Sequence, residues 1–184
     1  MKQKYLGKVR IIEMTRNDQS LPKLNSHYQT TNYYDLSITR ESEAWKVELT
    51  LKPLNEPLGK NYTGTFFEKH IEEPRAFAAV INMEQVGWIE LGYEKWSNRM
   101  RVWEFLVKKE LRRMGIGSLL MDFAVKVAKE KGARMLVLET QSCNIPAINF
   151  YLKKGFNLIG FDSAAYSNED IKKREVRLEL GLTL

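Results

Sequence analysis

The chain predicts an α/β fold, a mixed and mostly antiparallel sheet of about seven strands flanked by helices. Three observations carry that expectation. Short runs of alternating or β-branched residues recur from Tyr34 to Leu180, as strands require. Between them, Ile116, Leu119, Leu120, Phe123 and Val127 recur at the spacing of one helix face. The apolar run Met135-Leu136-Val137-Leu138 then suits a strand buried beside others.

Lys8 to Met14 reads as a first strand, whereas Thr15 to Thr31 is polar, contains Pro22 and shows no clear period. Tyr34, Leu36 and Ile38 alternate with polar neighbours, and so do Trp45, Val47, Leu49 and Leu51. With Glu41-Ser42-Glu43 between them, these runs predict a β-hairpin. Residues 53–65 hold Pro53, Pro57, Gly59 and Gly64 and predict a loop. Phe66 to Glu73 predicts a short helix stopped by Pro74.

Strands follow at Phe77 to Asn82 and Val86 to Tyr93, around a Met83-Glu84-Gln85 turn, and then at residues 101–108. Trp88, Trp96 and Trp103 fall together in this region and read as core or pocket wall. The long helix runs to about Lys131 and ends at Gly132, a left-handed cap. Asn144 to Lys154 predicts a second helix, with Pro146 in its first turn and Gly155 at its end. Phe156 to Phe161 and Glu175 to Leu180 are two closing strands, and they could pair two copies as a homodimer.

The 184 residues are 43% hydrophobic and 28% charged, which suits one soluble domain with a core that needs neither disulfide nor metal. The single cysteine excludes an intrachain disulfide and fits a reducing compartment, most simply the cytoplasm. The basic start, Met1 to Lys8, lacks the apolar run of a signal peptide. No stretch approaches the roughly 18 apolar residues of a membrane span. A net charge of +6 raises nucleic acid as a partner, but Lys and Arg alternate with Glu and Asp, which argues against it. A basic surface suits a polyanionic small ligand as well.

Arg112-Arg113-Met114-Gly115-Ile116-Gly117-Ser118 sits at a strand-to-helix junction. A helix start exposes unpaired N–H groups and about half an elementary positive charge. The glycines allow close approach and the arginines add charge, so the stretch can seat a phosphate or pyrophosphate. A tight connection with solvated arginines fits it equally. Neither the G-x-G-x-x-G fingerprint nor a G-x-x-x-x-G-K-[ST] loop is present.

With both flanks placed, Arg112-x-x-Gly115-x-Gly117 resembles the acetyl-CoA signature of GNAT-superfamily N-acetyltransferases. Asn144-x-x-Ala147-x-x-x-Tyr151-x-Lys153-x-Gly155-Phe156 resembles the second half of that family's pattern. The likeness covers residues 75–182. A finer likeness, to streptothricin acetyltransferases, runs through Leu138-Glu139-Thr140-Gln141, Asn144-x-Pro146-Ala147-x-Asn149-x-Tyr151 and Gly160-x-Asp162. Trp103 stands where those enzymes are expected to carry an acidic residue, and residues 1–70 do not follow their pattern.

The resemblance implies a single acetyltransferase domain, with residues 1–74 on the acceptor side and 75–184 binding acetyl-CoA. It implies that pyrophosphate rests on backbone of Arg113, Met114, Gly115, Ile116, Gly117 and Ser118, with Arg112 opening the loop. It also implies a splay between the fourth and fifth strands, where Phe105, Leu106 and Val107 could pair with the pantetheine arm. A plain core strand fits those three residues as well. Asn144 would hydrogen-bond pantetheine or simply cap its helix. Ala147, Asn149, Phe150, Tyr151 and Lys153 would complete the acetyl-CoA surface, and nothing in the pattern requires a metal.

Acyl transfer needs a neutral amine, a donor for the oxygen that gains charge, and an acid for the leaving thiolate. An alkyl amine of pKa about 10.4 costs about 4 to 5 kcal/mol to present as free base at neutral pH. A carboxylate that takes the proton could offset part of this. Glu104 is the candidate, with Glu90 and Glu139 as alternatives, and a salt-bridged sheet glutamate describes Glu104 equally well. The resemblance makes Val107 N–H the oxygen's donor, a type of contact commonly worth about 3 kcal/mol. It makes Tyr151 the acid, a tyrosine covering the core being the other reading. Cys143 reads as a small semi-buried thiol. The expected acceptor is a small-molecule amine, with an antibiotic of streptothricin or aminoglycoside type as the first candidate. Protein N-acetylation of the ribosomal-protein type and a non-catalytic acyl-CoA-binding module are the alternatives.

Overall fold

A computed structural model describes residues 9–18 and 21–184; the basic start, Met1 to Lys8, lies outside the described residues. Among the described residues nine strands follow in chain order: β1 (Arg10–Met14), β2 (Leu24–Glu41), β3 (Ala44–Gly64), β4 (Arg75–Ile81), β5 (Glu84–Glu94), β6 (Arg99–Val107), β7 (Met135–Gln141), β8 (Asn157–Asp162) and β9 (Arg177–Thr183). Helices α1 (Ile116–Glu130), α2 (Ile145–Lys153) and α3 (Asp170–Lys173) interrupt the later ones. Seven strands form one sheet in the order β1-β4-β5-β6-β7-β9-β8, and β2 and β3 form a separate two-stranded sheet. Pairs β1–β4, β4–β5, β5–β6 and β8–β9 are antiparallel and β6–β7 is parallel. The mixed, mostly antiparallel sheet of the expectation is therefore present.

The chain divides into two compact units, one of Met1–Ser26, Tyr62–Leu138 and Leu182–Leu184, the other of His27–Asn61 and Glu139–Gly181. In the first, β4 and β5 meet at Asn82-Met83, whose φ values of 49° and 67° make the tight two-residue turn that matches strand twist. This turn is shorter and earlier than Met83-Glu84-Gln85. One face of the pair buries Ala76, Ala78, Val80 and Trp88 against Met14, Leu24 and Phe67. Across the other, Phe77 meets Phe123 of α1 edge-on, with ring centroids 4.9 Å apart. Gly87 lets α1 close down, since a Cβ there would stand 3.1 Å from Leu120 and 3.3 Å from Ile116.

Four expectations are corrected here. Residues 53–65 are not a loop: β3 runs on to Gly64. Both strands of a two-stranded sheet are edges, so Pro53 and Pro57 can leave their missing donors on the open side. Residues 66–73 are bends and turns rather than a helix. Phe67 and Glu73 sit at φ 60° and 44°, which a right-handed helix cannot contain. The polar stretch before Thr31 also joins β2, from Leu24 onward. The three tryptophans do not form one group, because Trp88 is buried in the core while Trp96 is 79% exposed.

The second unit buries Leu36, Ile148, Val176 and Leu178 together, with Tyr34, Leu49 and Ile145 packed against them. Lys60 and Glu175 form an ion pair of 2.6 Å. Along the hairpin, Trp45, Val47 and Leu51 are exposed, so the alternation that predicts the strands marks a covered face only at Tyr34, Leu36 and Leu49.

Candidate active site

Strand β6 carries Glu104, the expected base, in the first unit. Counting back from the β5–β6 connection pairs Glu94 with Arg99 and Leu91 with Val102, yet Glu90 pairs with Glu104. Trp103 is thus the extra residue of a β-bulge, a feature that re-aims the side chains beside it. The Trp103 indole lies over Gly92, where an added Cβ would stand 2.6 Å from its Nε1. It stacks edge-on with His70 at 4.9 Å. Trp103 holds the position expected of an acid, and the bulge sets the acid one residue later.

Glu104 is only 9% exposed and accepts a hydrogen bond of 2.6 Å from the Tyr62 hydroxyl. Burial pushes its carboxyl up to about 7, the Tyr62 bond pulls it down, and the charge of Glu68 adds to the rise. Glu90 is fully buried. Its Oε1 accepts the Phe67 N–H at 2.6 Å, and its Oε2 is buried with no partner. It too is pushed up to about 7, by burial first and by the charges of Glu104 and Glu68, against the Phe67 bond and Arg16. Glu139, the other alternative base, forms an ion pair with Arg177 at 3.4 Å and is 41% exposed.

Three residues past Glu104, the strand leaves its ladder. The β6–β7 register runs from Arg99–Met135 to Val102–Leu138, and among the described residues it goes no further. Lys108 N–H bonds Val86 C=O on β5 at 3.0 Å. Successive amides of a strand point to opposite sides, so Val107 N–H faces away from β5, where β7 no longer pairs. Phe105, Leu106 and Val107, where the splay is expected, lie beyond that end of pairing.

The chain then folds back on itself. Arg112 Nε donates to Val107 C=O at 3.1 Å, tying the loop to the strand end. Arg113 at φ 64° and Gly115 at φ 94° turn Met114 and the loop into α1. The α1 bond from Leu119 N–H to Gly115 C=O leaves the amides of Ile116, Gly117 and Ser118 ahead of the ladder. No acidic residue occupies the first turn. Amides ahead of the ladder, the dipole's positive end and a first turn without an acidic side chain fit a polyphosphate there.

The remaining expected residues belong to the second unit. Asn144 caps α2, its Oδ1 accepting Ala147 N–H at 3.4 Å. The cap leaves its NH₂ group for a ligand. Asn149 and Lys153 lie on the exposed side of α2, and Ile148 and Tyr151 on the buried one. Tyr151 contacts the rings of Phe150 and Phe156 at 5.5 and 5.9 Å. Burial pushes its phenol well above the ordinary tyrosine value, so it stays protonated at any neutral pH. Cys143 is fully buried rather than semi-buried, 3.3 Å from the Tyr28 hydroxyl. Tyr62, Gly64 and Glu68 act on Glu104 by contact or charge, and sequence reasoning missed them. They lie in the stretch expected to be loop and helix, and no motif marks them.

Comparison with known proteins places the chain in a family. The family model described as the acetyltransferase (GNAT) family matches residues 37–156. A streptothricin acetyltransferase of Streptomyces lavendulae is 30% identical over 156 residues, 80% of each chain. The crystal structure of nourseothricin acetyltransferase superposes with a TM-score of 0.75 at 27% identity, covering 96% of this chain and 98% of that one. A putative streptothricin acetyltransferase from Bacillus anthracis, solved with acetyl coenzyme A, shares the fold at a TM-score of 0.75, 24% identity and 96% and 97% coverage. Among the described residues, no helix is long and apolar enough to cross a membrane.

Proposed function

This chain belongs to the acetyltransferase (GNAT) family, and on that premise we propose that it moves an acetyl group from acetyl-CoA to a primary amine of a streptothricin-type antibiotic. One observation supports the reading most. A single strand carries a buried carboxyl that titrates near neutrality and, three residues on, an amide turned out of its ladder.

Acetyl-CoA supplies the activated acyl group. Glu104 takes a proton from the acceptor ammonium, and a base titrating near the working pH is well matched to that transfer. Val107 N–H donates to the oxygen that gains charge. As the thioester C–S bond breaks, Tyr151 donates its proton to the departing sulfur and regains one from the attacking nitrogen, so that it ends protonated as burial requires. Amides from Arg113 to Ser118 hold the pyrophosphate, and Asn144 offers its NH₂ group to pantetheine.

The test is mass spectrometry with isotope-labelled acetyl-CoA on streptothricin, an aminoglycoside panel and a peptide panel. A labelled acetyl on streptothricin is the expected result. Label confined to peptides, or no label at all, overturns the proposed acceptor.

A further inference from the structure

We propose that Glu90 is a positioning residue that keeps one proton beside Glu104, so that Glu104 carries the single negative charge of the pair. The inference rests on the reading of Glu104 as the base. Its geometric ground is the register. Glu90 and Glu104 are directly opposite across β5 and β6, which sets their side chains on one face with Cβ atoms roughly 5 Å apart. The bulge at Trp103 creates this pairing.

The two carboxyls differ in what they can reach. Glu104 touches the Tyr62 hydroxyl and retains slight exposure. Glu90 has none, and its Oε2 is enclosed without a partner. An ionised carboxylate with an unpartnered oxygen in a buried site costs more than a neutral acid in the same place. The proton therefore belongs on Glu90.

The other groups facing the pair leave that order intact. From the 65–74 segment come the Phe67 amide, which favours a charged Glu90, and Glu68, which disfavours it. Arg16, after β1, favours the charge, and its guanidinium lies 5.7 Å from the Phe67 ring. Glu104 opposes it from β6, and Tyr62 at the end of β3 stabilises the charge on Glu104 instead. Two like charges on adjacent strands make the second ionisation the costly one, so the groups titrate as a pair. In each turnover Glu104 accepts one proton from the ammonium and passes it to water, while Glu90 keeps its own.

Carbon-13 NMR of labelled glutamate carboxyls reads the pair directly. In Glu104→Gln, the Glu90 titration should fall by about one unit or more, because the charge opposing its ionisation is gone. In Glu90→Gln, the Glu104 titration and the acid limb of kcat/KM should move by less than about half a unit, because that neighbour was already neutral. The reverse asymmetry, or both carboxyls titrating below about pH 5, overturns the proposal. If either variant fails to fold, infrared spectra of the unmodified protein decide: a carboxylic-acid band that persists after the acid limb of kcat/KM has titrated supports it, and loss of the whole band through that limb overturns it. Full activity of Glu104→Gln would remove Glu104 as the base while leaving the NMR asymmetry in place, so the two failures are distinguishable.

Discussion

Gly64 shows how closely the residues around Glu104 are fitted. A Cβ at this position would run into Glu104 Oε1 and stand 2.8 Å from the Tyr62 hydroxyl. Both are ends of flexible side chains, so Gly64→Ala can be absorbed by moving them, and that displaces the base. We expect Gly64→Ala to lower kcat by about tenfold, with little change in Tm or in KM for acetyl-CoA; steady-state kinetics beside a thermal melt checks this. Glu104→Gln should lower kcat by about 100-fold. Tyr151→Phe should reduce turnover more than acetyl-CoA affinity, and unchanged turnover would remove it from the mechanism. Glu104 was legible as a strand carboxylate beside the acetyl-CoA motif. Its opposition to Glu90 was not, because a plain hairpin count sets Trp103 across from Glu90 and only the bulge replaces it. Tyr62 and Gly64 had no signal, being remote in sequence from the acid they contact.

Element ends follow local rules, and these were the readable part of the fold. Gly132 at φ 76° and Gly155 at φ 88° take left-handed positions after α1 and α2, and Asn144 caps α2, as their residue types suggest. The second half of β3 escaped notice because Pro53 and Pro57 count against a strand unless it is known to be an edge. The start of α1 combines a legible motif with a function, and it gives an element-scale prediction. Gly115→Asp introduces a side chain at φ 94° and a negative charge before the free amides. Calorimetry should show CoA affinity reduced by about tenfold or more, whereas unchanged affinity would remove this helix start from the binding surface.

For the molecule as a whole, the buried carboxyl pair opposes stability to activity. Glu90 is raised from an ordinary 4.5 to about 7, so between those values the folded chain holds more protons than the unfolded one. Its contribution to stability is complete below about pH 4.5 and is lost as pH rises through about 7, a change of up to about 3 kcal/mol. Turnover should rise over the same interval as Glu104 ionises. Replacing Glu90 by Gln removes the penalty, so the Tm of the variant relative to the parent should be higher at pH 8 than at pH 5. Thermal melts at the two pH values check the sign.

The enclosed Cys143 has a practical consequence. It is the one thiol in the chain, it has no exposed surface, and burial pushes it above the ordinary thiol value. A chromogenic disulfide reagent mixed with the native enzyme should stay colourless until coenzyme is liberated, so turnover can be followed continuously at high enzyme concentration without a protein blank. Colour developing before the acceptor is added would then report an opened second unit.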